Sequence, residues 1–335
     1  MRLGLDGFAI PPPARDAFGT LDFVREEGLD GYFFGSVLAL SPTLDAGYLG
    51  EVRARADELG LYVELGIGNA NPARFERFPT VAAMGDGDYR RGFERLIRAG
   101  HAMAGPELRV DLGGEAARFD PAVSWSGQLA ATRGFLLSLA PLCRELGCRL
   151  DVETHADITT FELVRLIEDV GPDVLGVCLD TANVLCRAED PLAAARRVAP
   201  YVHQTHVKDA VLYFVDDGLM RQSRPCGEGI IDWRVLLRAL GEHSPDLALS
   251  IEDHKGLFAL RIYDPAWQAL HPDLTAVELA ELIRLTRRAE QRCSAAGGET
   301  EAPAAYEAIP WAEHGMHRLR ASVAHLREVL RLEGL

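Results

Sequence analysis

The chain has 335 residues, 48% hydrophobic and 25% charged, a balance that suits two average domains or one large α/β barrel with a sizeable core. Its 35 Lys and Arg stand against 50 Asp and Glu, a net charge of −15 that argues against a nucleic-acid partner, because phosphate binding needs clustered basic side chains. No run of 18 apolar residues suggests a membrane span, the opening MRLGLDGFAI reads as a strand rather than a secretory leader, and six cysteines without a C-x-x-C pair read as reduced thiols of a cytoplasmic protein.

The first strand is expected over 3–10, stopped by Pro11, Pro12 and Pro13, which cannot continue a ladder. A helix over 21–27 leads to a second strand over 31–34 and a helix over 44–59 with apolar residues at helical spacing. The third strand, 61–65, runs into the loop sequence GIGNANP. A helix over 88–104, a strand over 108–112 ending at Gly113-Gly114, a loop over 115–125 and a helix over 127–146 follow. Strands five to seven fall at 149–153, 176–180 and 203–207, separated by helices over 159–170 and 191–198. An irregular loop to Gly229, a helix over 232–240, the eighth strand over 247–252 and a helix over 276–291 complete the series. Eight strand–helix units without a GxGxxG fingerprint predict an α/β fold, a closed (β/α)8 TIM barrel over 1–292. Residues 293–310 read as a linker and 311–335 as an amphipathic C-terminal helix that packs on the barrel or on a second copy in a homo-oligomer.

Four of the late strands end alike. The runs V-E-T-H, C-L-D-T-A-N, H-V-K-D and I-E-D-H place Glu153, Asp180, His206 and Glu252 at C-terminal strand ends, which a closed barrel gathers at its mouth. Three carboxylates and an imidazole cannot stay charged and unpaired together, and one divalent cation is the simplest partner for them. Oxygen-rich ligation with one imidazole suits Mn²⁺ best, with Mg²⁺, Co²⁺ or Zn²⁺ as alternatives.

These motifs, with P-C-G-E-G-I-I-D-W over 225–233, resemble the sugar phosphate isomerase/epimerase family, the xylose-isomerase-like TIM barrels. The resemblance implies that Glu153, Asp180, His206 and Glu252 bind one metal ion. It implies further that Glu153 and Glu252 shuttle a proton at a carbon next to the carbonyl of a small carbohydrate. His155, Asn183, Lys208, Arg224, Glu228 and His254 are the candidate substrate contacts, with Lys208 free to pair instead with Asp209 or Glu228. Phe8, Phe34, Trp125 and Trp267 are candidate stacking platforms, and 255–275 reads as a lid or a structural flap. His203, three residues before His206, should face away from it and be structural. The chain departs from the family's ketose 3-epimerases, which carry His, Glu and Arg where Asn183, Thr159 and Leu212 stand here; Arg221 or Arg224 are the available replacements for the last. The resemblance therefore supports an isomerase or epimerase first and a dehydratase or lyase second. A DNA-repair endonuclease, which needs many more His ligands and a basic face, and a non-catalytic barrel come last.

Overall fold

The computed structural model describes residues 1–10, 14–295 and 303–335, so the triple proline and residues 296–302 of the expected linker lie outside the described residues. Eight parallel strands close into a barrel: β1 (Arg2–Asp6), β2 (Gly31–Phe34), β3 (Tyr62–Asn69), β4 (Glu107–Asp111), β5 (Arg149–Glu153), β6 (Leu175–Asp180), β7 (Val202–Val207) and, after a two-stranded insertion, β10 (Ala248–Ile251). β10 lies between β7 and β1 and completes the ring. The fold is the TIM barrel that the alternation predicts.

Much of the acidic excess serves the helices. Asp16, Asp45, Asp88, Asp190 and Asp232 each accept a backbone N–H at a helix N-terminus, meeting donors that the first turn leaves open. Asp16 also explains why the first helix, Ala17–Glu26, begins four residues earlier than apolar spacing suggests. The barrel's middle is plugged by polar contacts. A Cβ on Gly31 would lie 2.2 Å from the Tyr62 ring, so glycine is what lets that ring lie across β2. Its hydroxyl reaches Ser250 Oγ at 3.0 Å, and Ser250 donates to Glu64 at 2.6 Å.

Two expectations need correction here. The first strand stops at Asp6, not at residue 10, because the Asp6 carboxylate accepts the Phe8 N–H at 2.8 Å and starts a 3-10 turn, Gly7–Ala9. The stretch after β7 is not irregular: β8 (Asp209–Val215) and β9 (Gly218–Arg224) form a hairpin, and β11 (Leu257–Leu260) adds a third antiparallel strand. Within 255–275, Trp267 is fully buried and stacked on His271 at 3.6 Å, so this segment is a packed flap. The flap, the hairpin and the long helix Ala276–Ala295 share a small second core that includes Leu212, Leu219, Leu260 and Leu282.

Residues Pro303–Ala308 form a short helix with Tyr306 buried, and Trp311–Glu333 a 23-residue helix. The latter buries Leu319, Val323, Leu326 and Val329 in the main core. Its Arg318 forms a buried fork with Asp253, Nε–Oδ2 2.8 Å, immediately after Glu252. Cys143, Cys148, Cys178, Cys186 and Cys226 are buried and free. Among the described residues, no helix is long and apolar enough to cross a membrane.

Candidate metal centre

Register brings the four strand-end residues together. Asp180 pairs with His206 and His206 with Ser250, two residues before Glu252; Glu153 pairs with Cys178, two before Asp180. One ligand atom from each of Glu153, Asp180, His206 and Glu252 lies within 4.8 Å of all the others, and all four residues are buried. His206 Nδ1 is 3.1 Å from Glu153 Oε1 and 3.8 Å from Glu252 Oε2. The Phe33 ring packs edge-on against the imidazole, centroids 4.6 Å apart.

Threonines fix the strand ends. Thr154 Oγ1 donates to the Asp180 carbonyl at 3.2 Å and accepts the Asp180 N–H at 2.9 Å. Thr181 Oγ1 does the same with Lys208, at 2.6 and 2.9 Å. Asp180 Oδ1 is occupied by the N–H groups of Ala182 and Asn183, leaving Oδ2 to face the cluster. The residue after each of the first two ligands is thus a staple to the next strand, a role that the repeated E-T and D-T of the sequence could have signalled.

Charges around the cluster are arranged in pairs. Lys208 Nζ lies 3.0 Å from Asp180 Oδ2 and 2.5 Å from Glu252 Oε2. Asp209 is instead filled by the N–H groups of Ala210, Gly227, Gly229 and Ile231 and by the Trp233 indole. Arg109 Nε stands 3.0 Å from Glu153 Oε2. Burial acts to raise both glutamates, yet Arg109 and His206 hold Glu153, and Lys208 and His206 hold Glu252, below the usual carboxylate range. Burial acts to lower His206, and Glu153 and Glu252 overcome it, to about 9. Asp6, at the end of β1, adds a fourth carboxylate: Oδ2 is 3.7 Å from His206 Nε2, and burial lifts its pKa to about 6.

The donor set fits a divalent cation. Among the described residues, no hydrogen-bond partner meets Glu153 Oε2, Asp180 Oδ2, Glu252 Oε2, His206 Nε2 or Asp6 Oδ2, although all are buried. Lys208 stands within ion-pair distance of Asp180 Oδ2 and Glu252 Oε2, and Arg109 of Glu153 Oε2, so these three oxygens face protein cations. Three carboxylates and one imidazole whose ligand atoms lie this close form the oxygen-rich, single-imidazole set that a divalent cation takes.

The remaining sequence candidates divide. His254 bridges Lys208 Nζ at 3.1 Å and the Lys255 carbonyl at 2.8 Å. Asn183 is buried, and its Oδ1 accepts from Arg221 Nη2 at 3.4 Å. His155 is exposed, beside Gly114, and its pKa is raised chiefly by Glu153. Arg224 turns elsewhere, donating to Gln222 and lying 3.5 Å over the Tyr306 ring. Glu228 is exposed on the turn after β9, where its charge reaches Tyr306 and Arg318. Of the aromatic platforms, Phe34, Trp125 and Trp267 are buried; Phe8 is 62% exposed and touches His254 edge-on. Sequence reasoning did not single out Asp6 or Arg109. It did name Arg221, which sits directly across the hairpin from Leu212. The guanidinium missing at 212 is therefore present on the partner strand.

A family model described as the xylose isomerase-like TIM barrel matches residues 21–286. The uncharacterized protein YihM of Escherichia coli (strain K12) is 27% identical over 160 residues, 45% of this chain and 48% of that protein, so the match spans about half of that relative's length. The 3-oxo-isoapionate decarboxylase of Pectobacterium atrosepticum is 23% identical over 221 residues, 65% of this chain and 70% of that enzyme. Among solved structures, a D-psicose 3-epimerase determined in the presence of D-fructose superposes with a TM-score of 0.59 at 17% identity, covering 87% of this chain and 98% of that one. At that identity the likeness is one of fold.

Proposed function

Because the chain belongs to the xylose isomerase-like TIM barrel family, we propose that it is a divalent-metal-dependent isomerase or epimerase of a small keto-sugar or keto-polyol. The observation that carries this reading is the convergence of buried ligand atoms from Glu153, Asp180, His206 and Glu252 within 4.8 Å of one another. Those four residues would hold the ion, Mn²⁺ by preference, which when bound supplies Lewis acidity toward a carbonyl oxygen.

The chain's own residues do the proton work. Glu153 and Glu252 are both kept ionised by their cationic neighbours, so each is ready to accept a proton. They stand on β5 and just after β10, with β6 and β7 between them around the ring, and so address a bound substrate from different sides. Lys208 and His254 lie against Glu252 and can hold a substrate oxygen or relay a proton to it. Asn183 and Arg221 present an amide and a guanidinium beside Asp180, suited to hydroxyl or carbonyl oxygens.

A lyase acting through the same residues is the second reading. The decarboxylase of P. atrosepticum, which matches 65% of this chain, favours it. One experiment separates the two. The metal-loaded protein is incubated in D₂O with a panel of ketoses and keto-polyols and followed by proton NMR. Deuterium entering a carbon next to the carbonyl supports the isomerase or epimerase. Loss of water or CO₂ supports the lyase, and neither, with metal bound, contradicts both.

A further inference from the structure

The end of the barrel opposite the mouth holds a second gathering of ligand-type side chains. Glu107 at the start of β4, Asp151 on β5 and His203 on β7 each offer one atom, all within 4.8 Å of one another. Asp151 is fully buried, and among the described residues neither of its carboxylate oxygens has a hydrogen-bond partner. Gln204, the residue after His203, donates its Nε2 to the Glu107 carbonyl at 3.4 Å. Glu107, His203 and Gln204 line one cavity of about 340 Å³ at this end.

Two backbone features build the arrangement. The β6–β7 register shifts between Val177↔Val202 and Cys178↔Gln204, leaving His203 as an extra residue. In a regular strand His203 would face away from His206, as its spacing predicts; the bulge re-aims it toward Asp151. On β6, Gly176 leaves the space where the two meet. A Cβ there would lie 2.1 Å from Asp151 Oδ1 and 2.5 Å from His203 Cδ2.

Glu107 is forked by Arg149, with Nε–Oε2 at 3.1 Å, but a carboxylate has about four acceptor sites and keeps capacity for another partner. Glu107 and Asp151 share the one Arg149 guanidinium, and Asp151 is shut off from solvent. An ionised carboxylate in that position needs a cation or a proton. We propose that Glu107, Asp151 and His203 form a second divalent-cation site, of the Zn²⁺, Co²⁺ or Mn²⁺ class, that ties β4, β5 and β7 together at the end of the barrel opposite the mouth. Its role is structural, because the residues that face the mouth lie a layer above it on the same strands.

The test is metal stoichiometry on the full chain. The protein is stripped with a chelator, reloaded with Co²⁺, desalted and analysed by mass spectrometry for bound metal. Wild type is expected to hold two equivalents, His203→Gln one, and the Glu153→Gln/Glu252→Gln double variant one. His203 is only half-buried, so its variant should fold, and the double variant leaves the lower site untouched in any case. One equivalent in wild type with none in the double variant overturns the proposal and leaves a proton on Asp151. One equivalent in both upholds the lower site and removes the metal from the mouth. Two equivalents in His203→Gln also overturn it.

Discussion

Replacing Asp209 by Ala probes whether the H-V-K-D and G-E-G-I-I-D-W segments act as one clamp beside the site. The carboxylate is wholly buried and accepts the N–H groups of Ala210 at 2.8 Å, Gly227 at 3.0 Å, Gly229 and Ile231 at 3.3 Å, and the Trp233 indole at 2.9 Å. The bonds to Ala210, Gly229 and Trp233 are fully buried. A buried donor left unmet costs about 1–3 kcal/mol, so these alone sum to about 3–9 kcal/mol. Water entering the vacated space recovers part of this, and we expect a loss of about 4 kcal/mol. Asp209→Asn keeps one acceptor oxygen and should lose about half as much. Urea denaturation of the chelator-treated protein, read by tryptophan fluorescence, measures both, with the midpoint falling and the slope unchanged. A loss below about 1 kcal/mol in Asp209→Ala would refute the hydrogen-bond argument.

Glu153→Gln and Glu252→Gln should each lower turnover at least about 100-fold while the circular dichroism spectrum is kept; full activity in either removes that residue from proton transfer. Arg221→Met should raise KM by about 10–100-fold through loss of a charged hydrogen-bond donor. Arg224→Met, whose side chain stacks on Tyr306, should leave KM unchanged, and the reverse order would contradict the assignment. Burial lifts Glu189 to about 7, so its neutral form contributes stability fully present below about pH 4 and lost as pH rises through 7. Wild type should therefore exceed Glu189→Gln by about 3 kcal/mol more at pH 4 than at pH 8, and equal differences at the two pH values would refute the shift.

The barrel and the convergence of the four strand-end residues could be read from sequence because each late strand announces its end with a charged residue after an apolar run. What escaped reading involved local exceptions to strand periodicity. The span 209–224 sets the β-prone run Ala210–Val215 before the turn residues Asp216-Asp217-Gly218, a hairpin signal that the expectation of a plain connecting loop passes over. Spacing alone puts His203 on the face opposite His206, and the bulge in β7, which spacing does not show, turns it. Arg109 and Asp111 alternate with apolar neighbours on β4, and their charges point into the barrel; in a strand buried on both faces that alternation marks a polar interior. Arg224 and Arg221 could not be ranked from sequence, since three residues along one strand separate opposite faces and only the register with Leu212 decides between them.

The central claim is that one divalent ion is held by Glu153, Asp180, His206 and Glu252. Crystals of the Mn²⁺-loaded protein, measured at a wavelength where manganese scatters anomalously, test it most directly. An anomalous peak bonded to one atom from each of the four side chains is expected, with Lys208 displaced from Asp180 and Glu252. Lys208 still wedged between those carboxylates, and no peak among the four, would contradict it.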